Sequence, residues 1–494
     1  MTQEEQDRLA RLEKAREMGV NPYPSKGERT HMTKEFLSDF ELNETSGKSI
    51  TVNGRIRLLR KHGGLTFVQL QDESGMLQLV VRKDELGEEL YEQFHTLVDV
   101  GDFFEATGTA FLTRKEHQSL LTLSYRLLAK TILPLPEKWH GITDIEMRLR
   151  KRYLDLIMNE DVRERMYKRS KIITSIRDLL DGKDFTEVET PTLQPVYGGG
   201  FARPFTTHHN ALDADFYLRI SDEMYLKRLL VGGMEKVYEI TKVFRNEGID
   251  TSHNPEFTMF EAQVAYENFE YGMDLFEEIF ENASLRANGS TQIEHEEVTI
   301  EIARPWKRIR LIDSVEELGG LPASTWDDLE SAKAALSEKL TDKARKELDR
   351  IKSTGELMAF AFEEIVEDKL IQPTLVYDYP VEVSPLAKRS VDDPRFTERF
   401  EAFALGSEIG NNYSELNDPV DLEQRFMQEK DKEAAGFDEA HQTDHAYLEA
   451  IKHGMPPACG LGIGVDRMVM LLTGAKNIKE VILFPTLRPE NRDE

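Results

Sequence analysis

The chain has 494 residues, 39% of them hydrophobic, and a formal charge of −28 from 63 Lys and Arg against 91 Asp and Glu. This length predicts about three domains of about 150 residues each, and the composition excludes a collagen-like, disulfide-stapled or wholly disordered chain. Because Cys459 is the only cysteine, an intrachain disulfide and a thiolate cluster for zinc or iron–sulfur are excluded as well.

The amino-terminal sequence is charged throughout and has no apolar signal region, and no apolar run approaches the roughly 18 to 20 residues that span a bilayer. We therefore expect a cytoplasmic protein without a membrane partner. The negative charge is uneven, because residues 51–155 hold about 15 Lys and Arg against about 15 Asp and Glu. Charges beyond about 8 Å are screened at physiological salt, so this locally neutral part can still meet RNA phosphates.

Residues 1–48 are predicted to be a helical segment, with Leu9, Leu12 and Ala15 at helical spacing. From Ile50 the hydrophobic pattern changes to a period of two, with glycine-containing turns between the runs. Five short strands in about 85 residues are typical of a small β-barrel, which we place at residues 49–135.

The proline-containing interval 136–150 is predicted to be a linker into a second region, residues 151–494. There a helix is expected over 160–182, and the glycines 198–200 predict a loop that a ligand can approach closely. The stretch of about 310–372 is rich in Ala, Glu, Lys and Leu and is predicted to be a helical insertion.

The segment FRNEGIDTSHNPEFTMFEAQVAY joins a polar loop to a strand of mixed chemistry. Strand alternation puts an aromatic, a carboxylate and an amide on one face, namely Phe257, Glu261 and Gln263. An edge strand with a solvated polar side could also carry them. Arg245 and His253 on either side of the loop favour a binding site, because a guanidinium can grip a carboxylate or phosphate with two hydrogen bonds.

Three glutamates, Glu401, Glu408 and Glu415, follow in RFEAFALGSEIGNNYSEL. Carboxylates this close repel one another unless a cation lies among them. They could be exposed to solvent, but the interleaved Phe400 and Phe403 favour burial. Magnesium is the expected guest, because it prefers oxygen ligands and commonly combines one or two carboxylates with substrate phosphates.

The segment LGIGVDRMVMLLTG predicts a strand that runs into a buried helix. Its glycines do not follow the dinucleotide fingerprint, and GxxxxGK[ST] does not occur in the chain. ATP, if bound, is therefore bound without a P-loop. Arg467 within this apolar run is costly to bury unpaired, so it should meet an acid or a phosphate.

In the predicted barrel, Val68 and Leu70 point to one side, so that Phe67 lies on the polar face with Gln78 beside it. Small barrels bind single-stranded nucleic acid by stacking bases on such aromatics, at about 1 to 3 kcal/mol per base. One stray surface aromatic is the alternative explanation, but nearby Arg55 and Arg60 favour RNA.

These blocks together closely resemble the class II lysyl-tRNA synthetases of bacterial type. FTEVETPTLQ is similar to the first motif of that class, FRNEG with HNPEFTMFE to the second, and GLGIGVDR to the third. The resemblance spans about residues 5 to 489. It implies an α+β multidomain protein, with an anticodon-binding OB-fold barrel, then a catalytic domain on an antiparallel six-stranded sheet, and a homodimer formed partly through the first motif around Pro191.

The resemblance also implies the reaction and the residues that perform it. L-lysine would be activated by ATP with several Mg²⁺ ions per site, and would then be transferred to the 3′ end of tRNA(Lys). Arg245 would be catalytic and would hold both the amino-acid carboxylate and the α-phosphate. The implied ATP contacts are Arg245, Glu247, His253, Phe257, Glu401 and Arg467, and the implied metal ligands are Glu401 and Glu408. The implied lysine contacts are Gly199, Glu223, Glu261, Gln263, Asn411, Tyr413 and Glu415, with Glu415 at the ε-ammonium, and the implied anticodon contacts are Phe67 and Gln78.

The chain departs from the family pattern in three places. Gln263 stands where the family usually has tyrosine, and Asn412 and Tyr413 replace glycine and phenylalanine. The anticodon-reading glutamate of the family falls near His117, beside Glu116. That role stays open.

Three other functions are weighed against this one. A relative that activates aspartate or asparagine would need a cation where Glu415 stands. A ligase that attaches an amino acid to a protein lysine resembles the catalytic domain alone, and an inactive RNA-binding module would lack Arg245, Glu408 or Arg467. We expect the acidic crevice to lack basic partners from the protein, so that dications and a substrate with two ammonium groups complete it.

Overall fold

The computed structural model describes residues 1–136, 144–200, 202–296, 298–434 and 444–490, with backbone alone for 430–434. It divides into two compact units, Met1–Thr143 and Asp144–Glu494. Within the described ranges, no helix is both long enough and apolar enough to cross a membrane.

The first unit is built around a closed five-stranded barrel, which confirms the predicted fold of this part of the chain. Its strands are β1 (Ile50–His62), β2 (Leu65–Gln71), β3 (Met76–Arg82), β4 (Phe103–Leu112) and β5 (Gln118–Ala129). They are ordered β1-β2-β3-β5-β4, and β1 also pairs with β4, which closes the barrel. The β3/β5 pair is parallel, and the other pairs are antiparallel.

Five helices accompany the barrel: α1 (Gln3–Glu17), α2 (Thr33–Ser38), α3 (Phe40–Ser46), α4 (Lys83–Leu86) and α5 (Glu88–Leu97). Ala15, Phe36 and Phe40 from the first three join the same buried cluster as Val68 and Leu70 of β2. Burial of this apolar surface is what attaches the amino-terminal helices to the barrel.

The interval 136–150, assigned to a linker from the sequence, is only partly described. Residues 137–143 lie outside the described ranges, whereas Ile145–Arg150 form helix α6 of the second unit.

The second unit contains thirteen strands within the described residues. They are β6 (Thr186–Glu187), β7 (Leu193–Gln194), β8 (Thr206–His209), β9 (Ala214–Leu218), β10 (Lys236–Phe244), β11 (Glu256–Ala265), β12 (Gln292–His295), β13 (Val298–Glu301), β14 (Lys307–Arg310), β15 (Thr374–Pro380), β16 (Phe396–Ala404), β17 (Ser407–Ser414) and β18 (Ala458–Gly464).

The main sheet has eight strands in the order β14-β15-β16-β17-β18-β11-β10-β6. The six strands from β15 to β10 are mutually antiparallel, as the family resemblance implies, but β14 and β6 add parallel neighbours at the two edges. A parallel pair needs a long crossover connection. The predicted helical insertion supplies it for β14 and β15. Strands β7, β9 and β8 form a small second sheet, and β12 pairs with β13.

The helices of this unit continue after α6 as α7 (Arg152–Met158), α8 (Glu160–Asp181), α9 (Glu223–Val231), α10 (Phe269–Asn288), α11 (Leu311–Glu317), α12 (Leu329–Ser337), α13 (Asp342–Arg345), α14 (Thr354–Ile365), α15 (Pro419–Ala434), α16 (His445–Lys452) and α17 (Val465–Thr473). Short 3-10 turns lie at Ala323–Asp327, Glu367–Lys369, Val381–Val383 and Ile478–Glu480.

One face of the main sheet is covered by α8, α10 and α17. Ile176, Phe276 and Met468 from these helices share a buried cluster with Phe260 and Ala262 of β11. Successive side chains of a strand point to opposite faces. The odd-numbered residues of β11, on either side of Phe260, therefore face the other side of the sheet. That opposite face carries the candidate site.

Candidate active site

A cavity of about 350 Å³ lies on the open face of the main sheet, within the size range of small-molecule sites. Every site residue that the sequence analysis names in this unit lines it: Gly199, Glu223, Arg245, Glu247, His253, Phe257, Glu261, Gln263, Glu401, Glu408, Asn411, Tyr413, Glu415 and Arg467. The structure therefore brings together groups that span more than half of the chain.

The pairing of β11 with β18 explains the cavity floor. Phe257, Glu261 and Gln263 of β11 all line the cavity, which confirms their predicted common face. Glu261 lies opposite Gly462 and Gln263 opposite Gly460 in the register of the two strands. These glycines make room, since a Cβ at Gly460 would come within 2.4 Å of Gln263 Nε2. The alternate glycines of GLGIG thus leave space on the cavity floor for the side chains of the neighbouring strand.

At one end of the cavity, Glu415 is buried with a partner on each oxygen. Gln263 Nε2 donates to its Oε1 at 2.8 Å, and the Lys227 ammonium lies 2.5 Å from its Oε2. Burial raises the pKa of the Glu415 carboxyl to about 7, although Lys227 and Gln263 act in the opposite direction by favouring the ionised form.

Lys227 is a residue that the sequence analysis missed. Its side chain is fully buried, forms ion pairs with Glu223 and Glu415, and lies over the Tyr413 ring with Nζ 5.1 Å from the centroid. Burial alone would lower the pKa of this ammonium, but the two carboxylates outweigh burial and raise it well above its ordinary value. The spacing of Glu223 and Lys227, four apart on a helix, was the available signal.

The expectation that the pocket acids lack basic partners from the protein is therefore wrong for Glu223 and Glu415. It is also wrong for Glu401, which is ion-paired with Arg399 and accepts a hydrogen bond from Tyr379 Oη at 2.9 Å. Burial of ionised groups requires compensation, and the fold supplies part of that compensation itself.

Glu261 and Asp222 form a second acidic pair in the same region. Ser221 Oγ donates to Glu261 Oε1 at 2.8 Å. Burial, together with Asp222 and Glu223, raises the pKa of Glu261 well above its ordinary value. Burial and the nearby Glu239 raise the pKa of Asp222 to about 8. Each of these neighbouring carboxyl groups makes ionisation of the other less favourable.

The surroundings of Arg245 are suited to binding an anion. Its Nε is shielded from solvent and has no hydrogen-bond partner among the described residues. Its guanidinium carbon lies 5.2 Å from the centroid of the Phe257 ring. Burial lowers the pKa of the guanidinium from its ordinary value, while Glu247, Glu408 and Glu261 oppose that shift. An unpartnered buried donor is costly, so a carboxylate or phosphate oxygen fits here.

Arg467 meets an acid, as predicted from its apolar surroundings. Its Nη1 donates to the Glu408 backbone oxygen at 2.8 Å and lies 3.4 Å from Glu408 Oε2. Its Nη2 lies 3.1 Å from His253 Nε2. A guanidinium can only donate, so Nε2 accepts and His253 carries its proton on Nδ1, which lies 2.9 Å from Asp250 Oδ2.

The carboxylates of Glu408 and Glu401 provide the oxygen ligands that magnesium prefers. The Glu408 side chain is 39% exposed, and among the described residues its carboxylate has only the 3.4 Å contact with Arg467. Both oxygens of Glu401, in contrast, already have a partner. Burial raises the pKa of Glu401 to about 7. The described residues hold no group of three or more His, Cys, Asp or Glu arranged for a metal ion. Two carboxylates still match magnesium, because this ion keeps several waters and commonly takes its other ligands from substrate oxygens.

Phe67 and Gln78 belong to the barrel unit and do not line this cavity. Gln78 lies directly opposite Gln69 on the neighbouring strand, and Phe67 lies opposite Val80. Phe67 and Gln78 are thus diagonal neighbours on one face, as predicted. Gln78 Nε2 donates to Ser119 Oγ at 2.9 Å, and the Phe67 ring packs edge-on to His62 at 6.2 Å between centroids.

Comparison with known proteins gives two family matches. Residues 144–488 match the family described as tRNA synthetases class II (D, K and N). Residues 50–135 match the family described as OB-fold nucleic acid binding domain.

Curated relatives match nearly the whole chain. A lysine–tRNA ligase of Syntrophomonas wolfei is 49% identical over 98% of this chain and 97% of its own length. The lysine–tRNA ligases of Carboxydothermus hydrogenoformans and Pelotomaculum thermopropionicum are each 48% identical over 98% of this chain, and cover 98% and 94% of their own lengths.

Proposed function

This chain belongs to the class II tRNA synthetases (D, K and N), in the lysine–tRNA ligase family, and we propose that its cavity activates L-lysine with ATP for transfer to the 3′ end of tRNA(Lys). The observation that carries this proposal is Glu415, a buried carboxylate on the cavity wall. A carboxylate there selects a substrate whose side chain ends in a cation, because a site built to bind one group rejects analogues that lack it by about 10⁴-fold.

Lysine lies with its side chain toward Glu415 and its α-carbon toward Glu223 and Glu261. Glu415 Oε1 and the amide oxygen of Gln263 accept hydrogen bonds from the ε-ammonium, beside the Tyr413 ring. The remaining contacts with the α-ammonium and the carboxylate come from Gly199, Glu223, Glu261, Asn411 and Arg245. Arg399 Nε donates to Asn411 Oδ1 at 3.2 Å, which leaves the Asn411 amide N–H groups to donate to the carboxylate.

ATP lies beside lysine. Its adenine stacks on Phe257, with Glu247 at the amino group and Arg467 on the opposite side. His253 and Arg467 contact the outer phosphates, and Arg245 contacts the α-phosphate. The 3.1 Å contact between Arg467 and His253 supports this arrangement, because it already brings the two side chains to one place.

Glu401 and Glu408 would hold Mg²⁺, which class II synthetases generally use with ATP. When bound there, Mg²⁺ would supply neutralisation of phosphate charge. The Glu408 carboxylate is accessible for coordination, whereas Glu401 keeps its ion pair with Arg399 and its hydrogen bond with Tyr379.

The reaction needs no covalent nucleophile from the protein. Arg245 contacts the carboxylate of lysine and the α-phosphate at once, so it aligns the attacking oxygen with the phosphorus. The carboxylate oxygen bonds to the α-phosphorus, and the bond to pyrophosphate breaks. A terminal ribose hydroxyl of tRNA then attacks the carbonyl carbon of lysyl-adenylate, and AMP leaves. Positioning and charge neutralisation are the main sources of acceleration in such transfers.

The two units divide recognition between them. Phe67 stacks on an anticodon base and Gln78 contacts a base edge. The partly exposed positions of both side chains on one barrel face support this role. We also propose a homodimer, for which the exposed apolar side chains of Leu193, Tyr167 and Tyr153 offer surface to a second copy.

The alternatives fit less well. An aspartate or asparagine pocket needs a free cation, whereas Lys227 is held by two glutamates. A ligase with the catalytic domain alone would lack the barrel, and an inactive module would lack Arg245, Glu408 or Arg467, all three of which line the cavity.

The test is ATP–pyrophosphate exchange with each of the 20 amino acids. We expect exchange with lysine alone, and a Glu415→Gln variant should raise the KM for lysine at least about 100-fold. Exchange that prefers another amino acid would overturn the proposed substrate. An unchanged KM for lysine in the variant would overturn the role of Glu415.

A further inference from the structure

Lys227 combines complete burial with two ion pairs to residues of the proposed lysine pocket. It lies on α9, one turn after Glu223, and its side chain has 0% exposure. Its ammonium bridges Glu223 and Glu415, which come from parts of the chain that are distant in sequence. A buried ammonium is stable only with such partners, so the three side chains form one unit.

This unit stands behind the cavity wall. Glu223, Tyr413 and Glu415 line the cavity, whereas Lys227 does not. Lys227 approaches Glu415 at Oε2, while a Cβ added at Gly460, on the cavity floor, would lie 2.2 Å from Oε1. The two oxygens of Glu415 are thereby separated, with Oε2 toward the protein and Oε1 toward the cavity.

Tyr413 completes the arrangement. Its hydroxyl donates to Glu223 Oε1 at 2.5 Å, and its ring lies against the Lys227 ammonium. Lys227 supplies the positive charge that lies between these two carboxyl groups. Its loss would leave two neighbouring acidic side chains that repel each other when both are ionised.

We infer that Lys227 is a positioning residue for lysine binding, which holds the carboxyl groups of Glu223 and Glu415 in place and turns Glu415 so that Oε1 faces the substrate's ε-ammonium. The inference rests on the proposed function. Lys227 itself touches no substrate, and it acts through the two glutamates.

The experiment replaces Lys227 and measures lysine-dependent ATP–pyrophosphate exchange. Lys227→Met should raise the KM for lysine about 100-fold, as expected when a buried ion pair loses one partner. The KM for ATP and kcat should change less than about fivefold, because the phosphate end keeps its contacts. Lys227→Arg, which keeps the charge, should recover most of the affinity for lysine. Lys452→Met is the matched control, since Lys452 is half exposed and pairs with Glu423 outside the cavity.

A second variant protects the test from misfolding. The double variant Lys227→Met with Glu415→Gln has one fewer uncompensated charge than Lys227→Met alone. ATP binding measured by calorimetry reports whether each variant is folded. The double variant should raise the KM for lysine by less than the product of the two single effects, because both substitutions disturb the same Glu415 carboxylate.

Additive effects in the double variant, or an unchanged KM for lysine in Lys227→Met, would overturn the inference. Equal rises in the KM for lysine and for ATP would do the same, because they would mean a general structural role. Failure of the unaltered protein to use lysine would contradict the proposed function and is read from a separate measurement.

Discussion

The cavity of the second unit and the Phe67 face of the barrel present opposite kinds of recognition surface. At the cavity wall, the ionisable side chains of Glu415 and Glu223 are joined through Lys227 behind them, and Glu415 and Lys227 are fully buried. On the barrel, Phe67 and Gln78 are neutral and partly exposed, and Gln78 has a single hydrogen bond with Ser119. Coupled buried charges should respond severely to one substitution, whereas an exposed stacking face should lose affinity in small steps.

Arg245→Met should have the largest effect. It removes the group that we propose to contact both reactants, and loss of one such donor commonly costs about 10²- to 10³-fold in rate. We expect kcat/KM for ATP–pyrophosphate exchange to fall about 1,000-fold, and tRNA charging to fall equally because it needs the adenylate. Initial rates of the two reactions provide the measurement.

The control for this variant is Arg350→Met on the helical insertion. Arg350 is 72% exposed and pairs with Glu347 one turn earlier, so both rates should stay within about twofold. A loss in charging alone for Arg245→Met would show that Arg245 is not required for activation, and the contrast between the two surfaces would fail.

Gly460→Ala should come next. Its new methyl group would lie 2.2 Å from Glu415 Oε1 and 2.4 Å from Gln263 Nε2, so Glu415 must move from its place. We expect the KM for lysine to rise about 100-fold, by analogy with the effect of disturbing a buried charge pair, and the KM for ATP to change little. Exchange kinetics at varied lysine and varied ATP separate the two constants.

Gly182→Ala is the matched control. Its methyl group would be 3.4 Å from the Asp178 backbone oxygen, an ordinary contact, and both constants should stay within about twofold of the original. If Gly460→Ala also left the KM for lysine unchanged, Glu415 could not be the fixed group that the cavity requires.

The same contrast explains what the sequence could and could not reveal. Period-two alternation was sufficient to place Phe257, Glu261 and Gln263 on one face, and likewise Phe67 and Gln78, because alternation is a local property of a strand. The five-stranded barrel and the six central antiparallel strands follow from pattern and from family resemblance. The strand predicted in FTEVETPTLQ contains β6, but the parallel pairing at the two edges was not predicted, because β6 has only two residues and β14 only four.

The partners of buried charges were beyond reach for a different reason. Lys227 meets Glu415 across 188 positions of sequence, and no local pattern states which distant groups share a buried site. Arg399 is nearer to Glu401, two residues before it on β16, and alternation alone could have suggested that pair. Burial and partner together set a pKa, so the shifts at Glu415 and Glu261 became visible only with the fold.

Phe67→Ala should have the smallest effect and the most selective one. Loss of one stacked base costs about 1 to 3 kcal/mol, so the KM for tRNA in the charging reaction should rise about tenfold. ATP–pyrophosphate exchange without tRNA should stay unchanged, because Phe67 does not line the cavity.

Phe103→Ala is the control: this β4 ring is 39% exposed and is covered by the Arg55 guanidinium at 4.1 Å from its centroid. It should leave the KM for tRNA within about threefold. Equal losses for the two rings would mean that the barrel binds RNA without a local stacking site, and a parallel loss of exchange would mean that the two surfaces do not act separately.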